Sequence, residues 1–204
     1  MPDSDKHAWL KRRNRGFHVT IRDVDCRDFD VQRFIDDLVS MHATFFSFFV
    51  GGYVTTYPTA LAYQRESPYL GGRDLTGEII EAAHVAGIKT LGMIDLGQVP
   101  EQAALDHPDW CSQDAEGNPV VRTPGLYAAC PMGGYQNDYV HEIVAEILSR
   151  YDLDCVKFGG GSFGFSRDIC HCPNCREGFR EVYGHPLPEQ EDWHDPVWRE
   201  YVDW

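Results

Sequence analysis

The sequence predicts an α/β fold of the (β/α)8 TIM-barrel type, of which these 204 residues supply the four N-terminal βα units, a fragment or half barrel. Three observations lead there. Strand-like and helix-like stretches alternate four times along the chain. The strand candidates include continuous apolar runs, as in strands buried on both faces of a parallel sheet. Long loops follow the strands, and the phosphate-cradling turn G-x-G-x-x-G is missing after the first. An open doubly wound sheet fits the same alternation, but the long loops suit a barrel, whose site is built at the C-terminal strand ends.

Each element has a local reason. The stretch "GFHVTI" (16–21) is β-branched and aromatic, a first strand. In "DVQRFIDDLVSMHA", Val31, Phe34, Ile35, Leu38, Val39 and Met41 fall mostly on one face at helical spacing behind Asp30, a candidate N-cap. "TFFSFFV" (44–50) is the second strand. Asp74 caps a second helix, "LTGEIIEAAHVAG", which Gly87 stops. "IKTLGMIDLG" (88–97) is the third strand, followed by a polar excursion with "DHPDW", read as a loop anchor with Trp110 buried, and the turn "DAEGNP". "YQNDYVHEIVAEILSRY" is a helix with Tyr139, Ile143, Ile147 and Leu148 on its apolar stripe. "DCVKFGGG" (154–161) is the fourth strand, and two helix-like stretches finish the chain. The last, "REYVDW", carries no stop signal. Residues 1–204 are therefore expected to be the N-terminal part of a single barrel domain, with no linker and no second domain.

The formal net charge of −14 argues against a nucleic-acid partner, which needs a basic face. The one basic cluster, Lys11, Arg12, Arg13 and Arg15, reads as a solvated lead-in to the first strand. No run reaches the roughly 18 apolar residues of a membrane span. The basic start has no apolar segment behind it, so no secretory leader is expected and the chain is read as cytoplasmic. Half a barrel has two open sheet edges, so a homo-oligomer is expected if a second copy covers them.

Seven cysteines include one tight group, Cys170, Cys172 and Cys175, spaced C-x-C-x-x-C. In a reducing compartment that pattern favours metal over disulfides. A structural zinc takes four thiolate or imidazole ligands. Three are in the loop; the other cysteines and His171 are candidates for the fourth. His171, set between two ligands, is poorly placed to turn toward the same ion.

At this point the residues become recognisable. "CHCPNCREGFREVYG", followed by tryptophans and "WREYVDW", resembles the segment after strand four in family 42 β-galactosidases, which carry a four-cysteine structural zinc site on a (β/α)8 barrel. The distant fourth cysteine of that site lies before helix three; here "YAACPMGGYQNDY" takes that place, and the resemblance implies Cys130 as the fourth ligand. The chain is more broadly similar to the glycosyl hydrolases called hypothetical glycosyl hydrolase 6, through "YPT", "PYLGGRDL", "HPDW", "D-x-x-G-x-P", "CPMGGY" and "YDLD", in order along nearly its whole length. The resemblance implies a barrel hydrolase that acts on the O-glycosidic bonds of a carbohydrate.

Glycosidases of this kind work with two carboxylates. The family 42 acid/base glutamate ends strand four, but here Gly159 and Gly160 occupy that stretch, and the nucleophile belongs to a strand after Trp204. The acidic residues left at strand ends are Asp95 and Asp23, each with a competing role as a cap or turn residue; Asp168 reads as a partner of the cysteine loop. Sugars present apolar faces that stack on aromatic rings. Tyr53, Tyr57, Phe163 and Phe165 lie in strand-end loops and are candidates for substrate binding, though loop packing explains them equally well. Arg22, a further candidate, and Arg73 are suited to hydroxyls or carboxylates, or to salt bridges. His18 and His84 read as structural. Two other readings stand beside the hydrolase: a carbohydrate-binding barrel that has lost the strand-four acid, and a zinc-ribbon interaction module, which the acidic charge and βα pattern disfavour.

Overall fold

The computed structural model describes residues 8–159 and 169–204. In chain order the first elements are β1 (Gly16–Val19), α1 (Val31–Ser40), β2 (Phe45–Gly51), α2 (Leu75–Val85), β3 (Lys89–Asp95), β4 (Gln98–Pro100) and α3 (Glu101–Asp106). There follow β5 (Val121–Thr123), β6 (Leu126–Ala128), α4 (Val140–Arg150), β7 (Cys155–Gly159), α5 (Pro173–Tyr183) and α6 (Pro196–Asp203). The chain divides into two compact units, Met1–Asp95 with Ile143–Gly159, and Leu96–Glu142 with Gly160–Trp204.

The first unit is built on a parallel sheet in the order β1-β2-β3-β7. Its four strands are the four that the sequence predicts, and neighbours in the sheet follow one another in chain order, as short connections between consecutive units favour. One row of the register runs Val19, Phe48, Gly92, Val156. Phe46, Phe48 and Val50 alternate along β2 and are fully buried. Phe34 of α1 meets Phe46 edge-on at 5.4 Å, and Ile35, Leu38, Ile79 and Ala83 complete that core. On the other face His18 bonds Ser47 Oγ at 2.7 Å. The middle strands β2 and β3 are mostly buried, whereas β1 and β7 are half-exposed or exposed throughout, with Phe158 59% exposed.

The predicted helix ends hold. Asp30 accepts the Arg33 N–H at 3.0 Å and Asp74 the Gly77 N–H at 2.9 Å. Gly87 follows α2 at φ +74, the left-handed turn that a side chain resists. Three predicted apolar positions are different: Val39 and Met41 at the end of α1 are 49% and 42% exposed, and in α4 Ile143 and Ile147 are buried but Leu148 is 52% exposed. One residue on from Ile147 is a turn of about 100° around the helix, which carries Leu148 off the packed face.

The second unit contains what the polar excursion concealed, an antiparallel sheet in the order β4-β6-β5. Its strands have three residues each, too short for a readable alternation. The "DAEGNP" turn is held by Asp114, whose carboxylate accepts the Asn118 backbone N–H at 2.7 Å and its side-chain N–H at 3.2 Å. Trp110 is buried as expected for the loop anchor, stacked on His107 at 4.2 Å and on Tyr139 at 5.1 Å. Residues Tyr135–Tyr139 form a π-helical turn that leads into α4. Around α5 and α6, Phe179 is fully buried among Tyr183, His185, Tyr201 and Trp204.

Candidate functional site

The most strongly built cluster is in the second unit. Cys172 is the N-cap of α5, Pro173 takes the first helical position, and Cys172 Sγ accepts the Cys175 N–H at 3.4 Å. A sulfur there meets free N–H groups and the positive end of the helix dipole, both of which favour a thiolate. Cys130 follows β6 in a tight turn, its N–H on Trp110 O at 2.8 Å and its carbonyl accepting from Gly133 N at 3.0 Å. The Cys130 sulfur is 3.5 Å from that of Cys172, 3.4 Å from that of Cys175 and 3.8 Å from that of Cys170.

These distances are far beyond the ~2.05 Å of a disulfide, and the seven cysteines are free thiols. A tetrahedron of sulfurs about 2.3 Å from a central ion has edges of about 3.8 Å. The four side-chain ligand atoms lie within 4.8 Å of one another and all four residues are buried, so the set fits one metal ion with no exposed coordination position. Among the described residues this is the one such group. His171 is not in it. Its backbone instead ties the loop down, with its N–H on Gln113 O at 2.8 Å and its carbonyl accepting from Arg176 Nε at 2.6 Å. Tyr201 Oη accepts the Cys170 N–H at 3.1 Å, and Leu187 and Trp204 pack on the sulfurs. Cys111 is a fifth buried thiol nearby; burial first, then the charges of Asp109 and Cys170, push it up to about 12.

The second cluster lies at the C-terminal ends of β1, β2 and β3, within the first unit. Gly52 makes it possible. At φ +121 its α-carbon passes so close to the end of β3 that an added Cβ would fall 1.8 Å from the Asp95 carbonyl oxygen. Only glycine permits that crossing, and it sets Tyr53 beside Asp95. Burial raises the Tyr53 hydroxyl above its ordinary range, and the charges of Asp95 and Asp23 raise it further, with Arg65 opposing. Asp23 pairs with Arg65 at 3.0 Å, and its backbone carbonyl accepts from Ser67 Oγ at 3.1 Å. Asp23, Tyr53 and Asp95 thus follow or end β1, β2 and β3 on the same side of the parallel sheet.

Of the other residues predicted for the site, Arg22 and Tyr57 are engaged elsewhere. Arg22 forks onto Asp25 through Nε and Nη2, both at 3.0 Å, and its side chain is 72% exposed. The Asp25 carboxylate also accepts the Arg22 backbone N–H at 2.9 Å at the start of the 3-10 turn Asp23–Asp28, and these bonds hold the Asp25 carboxyl below its usual range. Tyr57 is fully buried and donates to Glu146 Oε2 at 3.0 Å. Glu146 also accepts from Thr59 Oγ1 at 2.7 Å and Ala60 N at 2.8 Å, which anchors this loop. Arg73 binds Glu78 and the Phe29 carbonyl. His84 bonds Asp154 at 2.9 Å. Phe163, Phe165, Gly160 and Asp168 lie outside the described residues. Sequence reasoning missed Arg65, and no local signal marks it, since its partner is 42 residues away.

No curated protein matches the sequence. Among solved structures the chain is similar to α-L-fucosidase isoenzyme 2 from Paenibacillus thiaminolyticus, at 24% identity and a TM-score of 0.67, over 94% of this chain and 28% of that one. A hypothetical protein from Ruminiclostridium thermocellum aligns at 11% identity and a TM-score of 0.56, over 71% of this chain and 75% of that one. A quadruple mutant of an α-N-acetylgalactosaminidase from Bifidobacterium bifidum aligns at 17% and 0.51, over 93% of this chain and 36% of that one. The chain thus spans about a quarter to a third of the glycosidases it resembles, and these are TIM-barrel enzymes, so the likeness is one of fold. The family model described as Hypothetical glycosyl hydrolase 6 matches residues 30–158, and the chain belongs to that family.

Proposed function

We propose that residues 1–204 are the N-terminal part of a single (β/α)8 glycoside hydrolase domain that cleaves O-glycosidic bonds, with Asp23 and Asp95 as its carboxylates on this part of the chain. The observation that carries the reading is their position after β1 and at the end of β3, the C-terminal ends of parallel strands, where barrel enzymes build their sites. The exposed outer strands β1 and β7 support the barrel, because closure would give each a neighbour. Glycoside cleavage needs one carboxyl to protonate the leaving oxygen and a second to stabilise the positive charge at the anomeric carbon. Tyr53, its hydroxyl kept protonated by burial and the two acidic neighbours, is a hydrogen-bond donor to a carboxylate or to a sugar oxygen.

We further propose that the four cysteines hold zinc. Four thiolates closed off from solvent suit its tetrahedral structural sites and leave no position for water or substrate. Bound there, the ion would lock Cys130 to the loop and helix that carry the other three ligands, and the chemistry would stay with the carboxylates.

A second reading has its own observation. At the end of β7, where a related acid would stand, Gly159 has no side chain, and an added Cβ would meet Met93 Sδ at 3.2 Å. That favours a carbohydrate-binding barrel without turnover. Hydrolysis of a panel of nitrophenyl glycosides by the full-length protein, α-L-fucosides included, decides between them. The hydrolase reading expects turnover with at least one member, reduced about 100-fold or more by Asp95→Asn or Asp23→Asn. Sugar binding without any turnover would refute it.

A further inference from the structure

In the second unit, α6 forms a cover on the cysteine cluster. Tyr201 Oη accepts the Cys170 N–H at 3.1 Å, and Trp204 packs on the sulfurs. Gly178 of α5 leaves the indole its room, since an added Cβ would come 3.2 Å from Trp204 Cζ2. The cover is fastened to α5 partly through buried Phe179, which meets Trp204 edge-on at 5.5 Å and Tyr201 at 6.2 Å. It is fastened also through a titratable contact. His185 stands two residues past the end of α5, and its Nε2 lies 2.7 Å from Glu200 Oε2 on α6. The same imidazole meets Phe179 edge-on at 5.5 Å.

The geometry selects one form of that ring. Nδ1 is 3.1 Å from the Pro186 carbonyl oxygen, while Nε2 faces the Glu200 carboxylate. Both oxygens accept and neither donates, so a ring with one proton satisfies one of them and turns a lone pair on the other. The imidazolium donates to both. Around it stand a second carboxylate, Asp195 at the N-cap of α6, and Tyr183 of α5, whose ring lies at 6.2 Å. The imidazole is raised above its ordinary value, first by the Pro186 carbonyl and then, against opposing desolvation, by Glu200 and Asp195.

We propose that His185 is a pH-dependent latch on the cysteine centre. As the imidazolium it fastens α6 to α5 and keeps Tyr201 and Trp204 seated on the cluster; in its neutral form it releases that cover. A histidine whose charged form is favoured by folding contributes fully below about pH 6.5, and the contribution is lost as pH rises through the raised folded-state value. The His185 and Glu200 side chains are 35% and 40% exposed, so water screens the pair and the latch shifts opening a few-fold. Short elements with few contacts open locally without global unfolding, and α6 has eight residues. A metal held by the four cysteines would therefore exchange faster above neutral pH. The latch rests on the contacts of α5 and α6, and only this effect on a metal rests on the zinc reading.

The test compares full-length wild type with His185→Gln, which cannot titrate, and Glu200→Gln, which keeps the shape of the partner without its charge. NMR of the imidazole should give wild type a titration midpoint above about 6.5, lowered in Glu200→Gln. Hydrogen exchange of the α6 amides should be about threefold or more faster in His185→Gln than in wild type at about pH 6, and equal within about 1.5-fold at about pH 9. Taking the ratio of variant to wild type at each pH cancels the intrinsic pH dependence of exchange. The rate at which a chelating dye takes zinc from the protein should follow the same ratio. A ratio that does not change with pH, a ratio near one at about pH 6, or a midpoint at or below about 6.5 would each overturn the latch. So would zinc release that ignores His185→Gln while the α6 amides respond. Protein that carries no metal would refute the zinc reading alone, and exchange at α6 would then decide the latch.

Discussion

Asp154 offers the sharpest test of how the parallel sheet is held together. It sits just before β7 with its side chain 7% exposed, and it accepts from Lys89 Nζ at 2.7 Å, His84 Nε2 at 2.9 Å and the Thr90 N–H at 2.9 Å. Burial alone would raise this carboxyl, but the bonds from Lys89, Thr90 and His84 outweigh it and hold the group below its usual range. Hydrogen bonds to a charged group contribute about 1.5–3 kcal/mol each. Three would sum to more than about 4 kcal/mol, but the Lys89 and His84 side chains are 40% and 31% exposed, so water takes over part of their loss. Asp154→Ala should therefore cost about 2–3 kcal/mol, or about 5–10 °C in Tm for a chain of this size. Asp154→Asn should cost about half as much, because an amide oxygen still accepts from Thr90. The sign with pH is set by the lowered carboxyl. Its contribution is full above the unfolded-state value of about 3.9 and is lost as pH falls through the folded-state value. Urea denaturation of wild type and Asp154→Asn should show a gap that is constant from about pH 7 to about pH 5 and narrows below about pH 4. A gap under about 0.5 kcal/mol at about pH 6, or one that widens on acidification, would refute this account.

Three more predictions test other parts of the fold. Tyr57→Phe removes one of the bonds to Glu146 from a fully buried ring and should lower stability by about 1–2 kcal/mol in chemical denaturation. Gly52→Ala must relieve a Cβ placed 1.8 Å from the Asp95 carbonyl at φ +121, so it should cost about 2 kcal/mol or more and displace Tyr53, seen as a lower Tm with reduced sugar binding or turnover. Metal analysis of protein purified without chelator should find about one zinc per chain, lost in Cys130→Ser and retained in Cys111→Ser, whose sulfur lies outside the ligand set.

How far the sequence was legible depended on the range of the interaction. The strands of the parallel sheet could be read because each is a local apolar run, and the caps Asp30 and Asp74 because a cap acts on the next three residues. The antiparallel sheet was not legible. "QVP", "VRT" and "LYA" have no alternation to display, and their partners lie along a stretch that reads as polar loop. Tyr57 shows the same limit. A tyrosine in a strand-end loop reads as ligand-facing until Glu146, 89 residues on, is found to claim its hydroxyl. The cysteine loop offered three candidate ligands by spacing, while Cys130, which the fold sets beside them, came from a resemblance, since nothing local marks it above Cys111.

On the proposed function, the carboxylates of the first unit divide the labour along the strands. Asp154, with Lys89, Thr90 and His84, gathers at the N-terminal ends of β3 and β7, where every acceptor oxygen is already engaged by the protein. Asp23, Asp95 and Tyr53 lie at the opposite ends, where Gly52 crosses the end of β3. A carboxylate saturated with bonds and held ionised cannot exchange a proton with a ligand, so the first cluster can only stabilise. The second has one carboxylate paired with a half-exposed arginine and a tyrosine kept as a donor, and these are groups that a ligand can still engage. Parallel sheets in barrels separate stability and chemistry by end in this way. The polarity of the sheet, more than any single residue, is thus the reason for proposing Asp23 and Asp95 as carboxylates of the site. Exchanging the perturbations tests the point: Asp154→Asn should lower Tm while leaving kcat/KM of the folded protein within about twofold, whereas Asp95→Asn should do the reverse. The reasoning fails if the two variants cannot be told apart by these two measurements.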